Sequence, residues 1–390
     1  MSAKIKIVIN SNSTWGIVNF RSNLIRALVS KDYEVVAFSP WDSYVSKLQD
    51  LGCRHVSLPI NAKNKNPIIN ALFFIRIFRL LWIENPNVFL GFTIKPNLFG
   101  SLAAHLLNIP VINNITGLGV VFKKKNWLTM LVMFFYYIVF KRSKKVFFQN
   151  KSDKDFFISS GLVRREATDQ LPGSGVNLNY FKYKPTSDDK LPIEFLLIAR
   201  LIREKGVIEY VNAAKLIRKK TKALNSHHKL VPKFNILGFL EVDSPGAISH
   251  KQMKQWVCEG DVTYLGETDD VRPYITAASC IVLPSNYREG VPKTLLEAAA
   301  IGRPIITTNV IGCRDVVVDG LNGYLCKSEN VKDLAKKMES FLKLSHLKRI
   351  EMGRQGRKKI ELEFNEKIVI NKYLDLINKI YFKKNYKIFI

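Results

Sequence analysis

Short apolar runs and helical patterns alternate along this chain from its beginning. An apolar run at 5–9 precedes a helical pattern at 19–30, and a second apolar run follows at 33–38. Strands that alternate with helices in this way are typical of a parallel sheet with crossover helices. The same alternation starts again at Ile193. Because 390 residues with 47% hydrophobic content can fill two cores of ordinary size, the pattern predicts an α/β protein with two domains.

A polar, proline-containing stretch at 182–190 separates the two alternating regions. It lacks apolar periodicity, which is typical of a linker. We therefore predict an N-terminal domain at 1–181 and a C-terminal domain at 191–370. An apolar and basic pattern returns at 371–390, after the second domain should be complete, and we assign it to a separate helix or tail.

Two glutamates, Glu289 and Glu297, bracket a predicted junction between a loop and a helix, directly after an apolar run at 280–284. Pro292 suits the first turn of a helix and good helix formers follow it, so we expect Glu297 inside the helix and Glu289 on the loop. Ionised carboxylates accept directional hydrogen bonds, which suits the hydroxyl pairs of a sugar and a ribose. A helix-terminus charge beside a solvated glutamate is the alternative that the spacing leaves open.

A basic group precedes this pair by about ninety residues along the chain, where the apolar run 195–199 ends at Arg200. Lys205 and Gly206 follow on a short predicted loop before a helix. A strand end, a loop and a helix start place fixed positive charge and free backbone N–H groups together, which favours a diphosphate site. Exposed Arg and Lys side chains that are merely solvated are the alternative.

Arg200, Lys205 and the Glu-x7-Glu pair together resemble the retaining glycosyltransferases of the GT-B fold, in the large family four class. The resemblance covers nearly the whole chain and implies two Rossmann-like domains facing a cleft, with a C-terminal helix that crosses back to the N-domain. Further matching stretches are 237–239, 264–266, 269–274, 283–285, 302–307 and 312–317. A narrower similarity, to the branch that extends lipid-linked oligosaccharides in bacteria, rests on 15–21, 94–97 and 116–119.

The resemblance implies transfer of a hexose or N-acetylhexosamine from a UDP-sugar to a polyprenyl-diphosphate-linked saccharide, as in bacterial surface polysaccharide synthesis. The implied catalytic residues are Glu289, Arg200 and Lys205, the two cations stabilising charge on the departing diphosphate. Glu297 would bind the ribose hydroxyls. The predicted donor-binding residues are Glu297, Gly16, Arg200, Lys205, Gly290, Val291 and Thr294. Gly16 is included because backbone N–H groups near it, where the loop after the first strand enters a helix, could contact the phosphates, and an ordinary turn glycine is the alternative.

Acceptor-binding residues are predicted on the N-domain, close to expected strand ends. Lys95 or Arg21 could bind a pyrophosphate, although helix-cap and surface roles are left open. Many family four enzymes carry a His after the strand that is 111–115 here, whereas this chain continues with Thr116 and Gly117. We assign the hydrogen-bonding role of that His to Thr116 or to backbone groups. The full acceptor-binding set is Asn19, Arg21, Lys95, Asn97 and Thr116.

The net charge of +27 indicates an anionic partner, and both halves of the chain carry an excess of Lys and Arg. Nucleic acid is disfavoured because the sequence has no zinc-ligand spacing, no RNA-recognition aromatic motif and no uninterrupted basic arm. An almost wholly apolar run at 127–140 lies between basic clusters at 123–125 and 141–145. As a helix this run reaches only roughly 21 Å, which favours docking at a membrane interface over spanning.

A helix packed on the N-terminal sheet is the alternative for the run at 127–140, and a second apolar stretch at 67–84 could dock as well. The sequence shows no signal peptide, and its five cysteines show no metal or disulfide spacing, which predicts a cytoplasmic protein. We therefore expect peripheral binding to the inner face of the cell membrane.

An Asp-x-Asp motif at Asp153 and Asp155 could suggest a metal-bound diphosphate. We interpret it instead as part of a helix start, with Ser152 as the N-cap and Asp155 completing a capping box. No metal or other cofactor is then expected, since Arg200 and Lys205 supply the positive charge. Two other functions compete with a transferase: a nucleotide-sugar epimerase of the same fold and a non-catalytic, membrane-associated basic binding protein.

Overall fold

The computed structural model describes residues 4–60, 66–118, 127–186, 192–223, 231–240, 244 and 246–386. The chain forms two compact units, the first comprising residues 1–174 with 366–390 and the second comprising residues 175–365. Each unit contains one parallel sheet with helices on its faces. This confirms the predicted α/β class with two domains.

The first unit is built on a seven-stranded sheet in the order β3-β2-β1-β4-β5-β6-β7, with all pairs parallel. The order reverses between β1 and β4, and such switch points are where open α/β sheets bind ligands. The strands are β1 (Lys6–Asn10), β2 (Glu34–Ser39), β3 (Arg54–Ser57), β4 (Val88–Phe92), β5 (Val111–Ile115), β6 (Lys145–Phe148) and β7 (Thr168–Gln170). The helices are α1 (Thr14–Val29), α2 (Val45–Gln49), α3 (Pro67–Glu84), α4 (Ser101–Leu106), α5 (Trp127–Phe140), α6 (Lys151–Ser159) and α13 (Glu366–Tyr386).

The second unit contains a six-stranded parallel sheet in the order β10-β9-β8-β11-β12-β13, with its switch point between β8 and β11. Its strands are β8 (Glu194–Ile198), β9 (Lys233–Leu237), β10 (Thr263–Tyr264), β11 (Cys280–Leu283), β12 (Ile305–Thr308) and β13 (Gly323–Cys326). Its helices are α7 (Val207–Ala223), α8 (His250–Cys258), α9 (Arg272–Ala277), α10 (Lys293–Ile301), α11 (Val331–Leu342) and α12 (His346–Glu363).

The final helix, α13, belongs to the first unit and starts at Glu366 rather than near residue 371. Val369, Tyr373 and Ile377 on one face of α13 are buried in the core between α1 and the sheet. Lys372 adds an ion pair of 2.9 Å with Asp169, at β7. The helix therefore returns to the N-domain, as the resemblance implied.

The boundary between the units lies at residue 174 instead of in the predicted linker at 182–190. Residues after the boundary already pack on the second unit: Phe181 is buried in its core, and the Lys184 N–H donates to Ile301 O at 2.9 Å. Residues 187–190 of the predicted linker lie outside the described residues. The polar composition of the stretch did not reveal these contacts, because they are made with residues that are distant in the sequence.

Arg303 connects the segment around Lys184 to the rest of the second unit. Its side chain is 2% exposed and donates hydrogen bonds to the carbonyls of Ile275 (3.1 Å), Thr276 (2.6 Å) and Lys184 (2.5 Å). Burial lowers the pKa of Arg303 to about 10. One guanidinium thus donates to three carbonyl groups from two segments of the second unit.

Replacing Arg303 by Met is expected to lower the free energy of unfolding by about 2 kcal/mol, because one buried and two part-buried carbonyls lose their charged donor. Chemical denaturation followed by circular dichroism measures the change. Arg354→Met is the matched control, since Arg354 is an exposed side chain that pairs with Glu351, and it should leave the unfolding midpoint nearly unchanged. An Arg303→Met midpoint equal to that of the control would contradict the structural role.

Candidate active site

The candidate site lies at the switch point of the second sheet, where β8 and β11 are neighbours and their carboxyl ends meet. β8 leads to Arg200 and then to a 3-10 turn at Arg203–Lys205. β11 leads to the loop that carries Glu289, and α10 begins after Pro292, its N-cap residue. Parallel pairing therefore brings together two segments that are far apart in the sequence.

Hydrogen bonds and a close approach of the two backbones hold these segments together. The Glu204 carbonyl accepts the Asn286 N–H at 2.9 Å and the Ser285 hydroxyl at 3.1 Å. Gly206 has φ +75°, and a Cβ atom there would lie 2.1 Å from Pro284 O. Any side chain at position 206 would therefore push the lysine turn away from the glutamate loop.

Lys205 and Glu289 form a buried ion pair, with Lys205 Nζ 2.5 Å from Glu289 Oε2. The Ser285 hydroxyl donates to the other carboxylate oxygen of Glu289. Burial by itself would lower the pKa of Lys205, but Glu289 and Tyr287 more than offset this effect, and the net shift is upward. Lys205 is therefore a charged ammonium at neutral pH, as phosphate binding requires.

The segment after β12 packs against the loop that carries Glu289 and Gly290. The Glu289 N–H donates to Ile311 O at 3.3 Å. Gly312 has φ +89°, and a Cβ atom there would lie 1.6 Å from Gly290 O. Gly290 and Val291 are both buried, so these predicted donor-binding residues fix the loop in place, and a contact with the donor stays a prediction.

Tyr287 is a further residue of this site, and it is not among the residues predicted above. Lys205 Nζ lies 5.3 Å from the centre of its ring. Burial raises the pKa of the Tyr287 phenol, while hydrogen bonding and charge from Lys205, with the charge of Arg200, act in the opposite direction. Arg200 itself is exposed. Its position in the sequence, two residues before Glu289 on the same loop, could have indicated that Tyr287 belongs to the site.

Glu297 lies on α10, as predicted, and is 6% exposed. Lys293, four residues earlier, places its Nζ 3.2 Å from Glu297 Oε1. Burial raises the pKa of Glu297, with Lys293 opposing the shift and Asp270 adding to it. Thr294 is half-buried on the first turn of the same helix. Each glutamate of the pair thus has its own lysine partner.

In the first unit, the amide groups around Gly16 already have partners. The Gly16 N–H donates to Ser13 Oγ at 3.1 Å, which caps α1, and the Trp15 N–H donates to Asp42 Oδ2 at 3.2 Å. Binding of the donor phosphate by Gly16 stays a prediction, and it would require Ser13 to release this amide. The cap explains the local geometry without a ligand.

Two of the predicted acceptor-binding residues are buried. Arg21 is 5% exposed, with its guanidinium carbon 4.3 Å from the centre of the Phe92 ring, and burial lowers its pKa. Asn97 is 1% exposed and is held by Asn114 O and Asn113 Nδ2, each at 2.9 Å. Helix α1 buries the Arg21 side chain, and the π-helical turn Pro96–Gly100 buries that of Asn97. Acceptor binding by these two residues stays a prediction.

The other three acceptor-binding predictions fall on half-buried positions. Lys95 donates to Asn70 Oδ1 at 2.7 Å, and burial lowers its pKa. Asn19 lies on α1, and Thr116 directly follows β5. Their roles stay predictions. Gly119, the last residue of the motif after β5, lies outside the described residues.

The Asp-x-Asp motif belongs to a helix start, but the predicted cap is displaced by two residues. Asn150, not Ser152, is the N-cap of α6: its Oδ1 accepts from the Asp153 N–H at 2.7 Å, and its Nδ2 donates to Asp153 Oδ2 at 2.9 Å. Helix α6 therefore starts at Lys151, two residues before the predicted start, because the Asn150 side chain caps it. Within the described ranges, no group of three or more His, Cys, Asp or Glu residues could hold a metal ion.

Family models match both units. The model described as Glycosyl transferases group 1 matches residues 182–359, and that described as Glycosyl transferase 4-like matches residues 4–150. Two parallel-sheet units with this site define a glycosyltransferase of the GT-B fold. The chain belongs to the group 1 and 4-like glycosyltransferases, the family that its sequence resembles.

One relative is the N,N'-diacetylbacillosaminyl-diphospho-undecaprenol alpha-1,3-N-acetylgalactosaminyltransferase of Campylobacter jejuni, with 28% identity over 95% of this chain and 97% of that protein. Another is the Escherichia coli UDP-Gal:alpha-D-GlcNAc-diphosphoundecaprenol alpha-1,3-galactosyltransferase, with 23% identity over 83% and 81%. The solved structure of Anabaena HepE in complex with UDP shares the fold, with a TM-score of 0.74 at 15% identity, covering 96% of this chain and 98% of that one.

Proposed function

We propose that this enzyme transfers a hexose or N-acetylhexosamine from a UDP-sugar to a polyprenyl-diphosphate-linked saccharide, with retention of anomeric configuration. The observation that carries the proposal is the buried Lys205–Glu289 pair at the switch point of the second sheet. The names of the two relatives supply the acceptor class, because both act on sugars linked to diphospho-undecaprenol.

The ion pair suggests how the donor would be held. A diphosphate offers Lys205 a stronger anionic partner than a single carboxylate, so donor binding would transfer Lys205 from Glu289 to the phosphates. Glu289, still held by Ser285, would then accept hydrogen bonds from the hydroxyls of the transferred sugar. Arg200, exposed beside Tyr287, would add a second positive charge for the departing UDP.

Glu297 would bind the ribose hydroxyls in this scheme. Its buried carboxylate lies near Lys293, and that ion pair favours the ionised form that accepts two hydroxyl groups. We expect no metal requirement, because Lys205 and Arg200 supply the charge that a divalent cation would otherwise provide. The proposed products are UDP and a lipid-linked saccharide longer by one sugar.

The test is UDP release by the purified enzyme, given a panel of UDP-sugars with and without a lipid-linked acceptor, and repeated with EDTA. Release that needs both one donor and the acceptor, and that EDTA leaves unchanged, is the expected result. Loss of activity in EDTA would overturn the metal-free mechanism. Conversion of a UDP-sugar to its epimer would favour the nucleotide-sugar epimerase, and binding without turnover would favour a non-catalytic protein.

We also propose that the first unit docks on the inner face of the cell membrane. Helix α5 buries Tyr136, Val139 and Phe140 against the core and leaves its other side exposed. Helix α3 exposes a similar apolar side, and α4 contacts both helices. The docking face defined by these exposed side chains comprises Ile68, Leu72, Ile75, Trp82, Trp127, Met130, Phe134 and Tyr137.

Basic residues flank the docking face and favour an anionic membrane as its partner. Arg76 and Arg79 are exposed on α3, and Lys141 and Arg142 follow α5. The predicted basic cluster at 123–125 lies outside the described residues. No described helix is both long and apolar enough to cross a bilayer. Apolar side chains beside cations suit interfacial binding.

Replacing Met130 and Phe134 together by Ser is expected to weaken binding to vesicles of phosphatidylglycerol by about tenfold or more, because two large apolar side chains no longer enter the interface. Co-sedimentation with vesicles measures the affinity. Leu347→Ser, at an exposed apolar residue of α12 in the second unit, is the matched control and should bind as the unchanged protein does. Equal binding of the double variant would rule out this face.

A further inference from the structure

Trp41 is an exposed tryptophan on the loop that follows β2. Its side chain is 73% exposed, although tryptophan is usually largely buried in folded proteins. The loop runs from Pro40 to Tyr44 and lies at the carboxyl edge of the first sheet, because it continues a parallel strand. Ligands of open α/β sheets bind at this edge.

Four side-chain hydrogen bonds hold this loop in one conformation. The Thr14 hydroxyl bonds to Pro40 O at 2.5 Å and to Ser39 Oγ at 2.7 Å. The Asp42 carboxylate accepts the Trp15 N–H at 3.2 Å and the Tyr44 N–H at 2.9 Å. The backbone on both sides of Trp41 is thus fixed to the start of α1, and the ring is presented to solvent at little further entropy cost.

The same edge carries further features of a ligand site. Asn10 Oδ1 and Thr93 Oγ1 are buried without a hydrogen-bond partner, at the ends of the neighbouring strands β1 and β4. Thr93 also has φ +68°, which is rare for a β-branched residue and is found mainly at functional positions. These polar groups lie at the switch point, within two strands of the Trp41 loop.

We propose that Trp41 is the stacking platform for the saccharide part of the acceptor. A pyranose ring has an apolar C–H face and a rim of hydroxyls, so it can cover an indole ring while its rim stays hydrogen-bonded. This inference rests on the proposed function and adds to it a binding residue for the acceptor sugar. The lipid and its diphosphate need not contact Trp41 for this role.

Charge distinguishes this role from membrane insertion. Residues 40–44 of the loop include Asp42 and no basic residue, and Lys47 of α2 lies 4.8 Å from the centre of the Tyr44 ring. Four cations, Arg76, Arg79, Lys141 and Arg142, flank the docking face. An anionic membrane would repel a carboxylate beside an inserted tryptophan. The loop chemistry therefore favours a neutral, polyhydroxylated partner.

The test compares Trp41→Ala and Trp41→Phe with the unchanged enzyme on a short-chain, water-soluble acceptor and without membranes. Trp41→Ala is expected to raise the KM for the acceptor by about tenfold, because the acceptor loses an aromatic binding surface. The kcat and the KM for the donor should change less than about twofold. Trp41→Phe should restore most of the affinity because it keeps an aromatic face. Leu347→Ala is the exposed control.

Other outcomes separate the inference from the proposed function. An unchanged acceptor KM in Trp41→Ala, in an enzyme that still transfers sugar, would overturn the stacking role alone. A Trp41→Ala defect that appears only with vesicle-bound acceptor would assign Trp41 to the membrane and also overturn it. Absence of transfer in the unchanged enzyme with every donor would refute the proposed function itself.

Discussion

Glu289→Gln lowers kcat/KM for sugar transfer by about 10²-fold to 10³-fold, as expected for loss of a charged group that stabilises the transition state. The substitution keeps the shape of the side chain and an oxygen for the Ser285 hydroxyl. It removes the negative charge that would hold the hydroxyls of a sugar ring as positive character develops on that ring. Initial rates of UDP release, with the acceptor saturating, measure the effect.

Glu363→Gln is the matched control for this substitution. Glu363 is an exposed carboxylate on α12 that also pairs with a lysine, Lys359, at 2.7 Å. Its loss should leave the rate unchanged. Thermal denaturation of both variants establishes that they are folded. A folded Glu289→Gln enzyme with full activity would remove Glu289 from the mechanism and leave Glu297 as the candidate carboxylate.

Lys205→Met produces the second large effect, and it acts on both stability and activity. Removing the ammonium leaves the Glu289 carboxylate buried without its cation, which costs about 3 kcal/mol of folding free energy. Donor binding weakens as well, because the diphosphate loses a charged partner. Urea denaturation and the KM for the UDP-sugar are the two measurements.

The double variant Lys205→Met/Glu289→Gln separates the two effects. With the carboxylate neutralised, no unpaired charge remains, so the stability should return to within about 1 kcal/mol of the unchanged enzyme. Activity should stay at least as low as in Glu289→Gln. Recovery of activity together with stability would show that the pair is structural only. Failure to recover stability would show that Lys205 supports the fold through other contacts.

The sequence predicted the local features of the site well. Glu289 lies on a loop and Glu297 on the following helix, as the proline and the helix formers indicated. The lysine turn follows a buried strand, although that strand ends at Ile198, shortly before Arg200. These features depend on neighbours along the chain, which is the information that periodicity and turn chemistry carry.

Other features were missed because they depend on contacts between distant segments. The described part of the predicted linker, residues 182–186, packs on the second unit, because the Lys184 backbone bonds to Ile301 of α10 and to the Arg303 side chain. Arg21 and Asn97 are of residue types that usually lie at the surface, yet α1 buries the first and the π-helical turn Pro96–Gly100 buries the second. Tyr287 stands close to Glu289 in the sequence, but only the tertiary structure places Lys205 beside its ring.

The sequence by itself determined the α/β class, the two-domain organisation and the family, because regular alternation and spaced motifs are local properties. Only the tertiary structure decided which charges meet. Lys205 and Glu289 are 84 residues apart, and they pair because β8 and β11 are adjacent across the switch point of their sheet. Strand order is set by the packing of the whole sheet, and no local pattern in either segment specifies it.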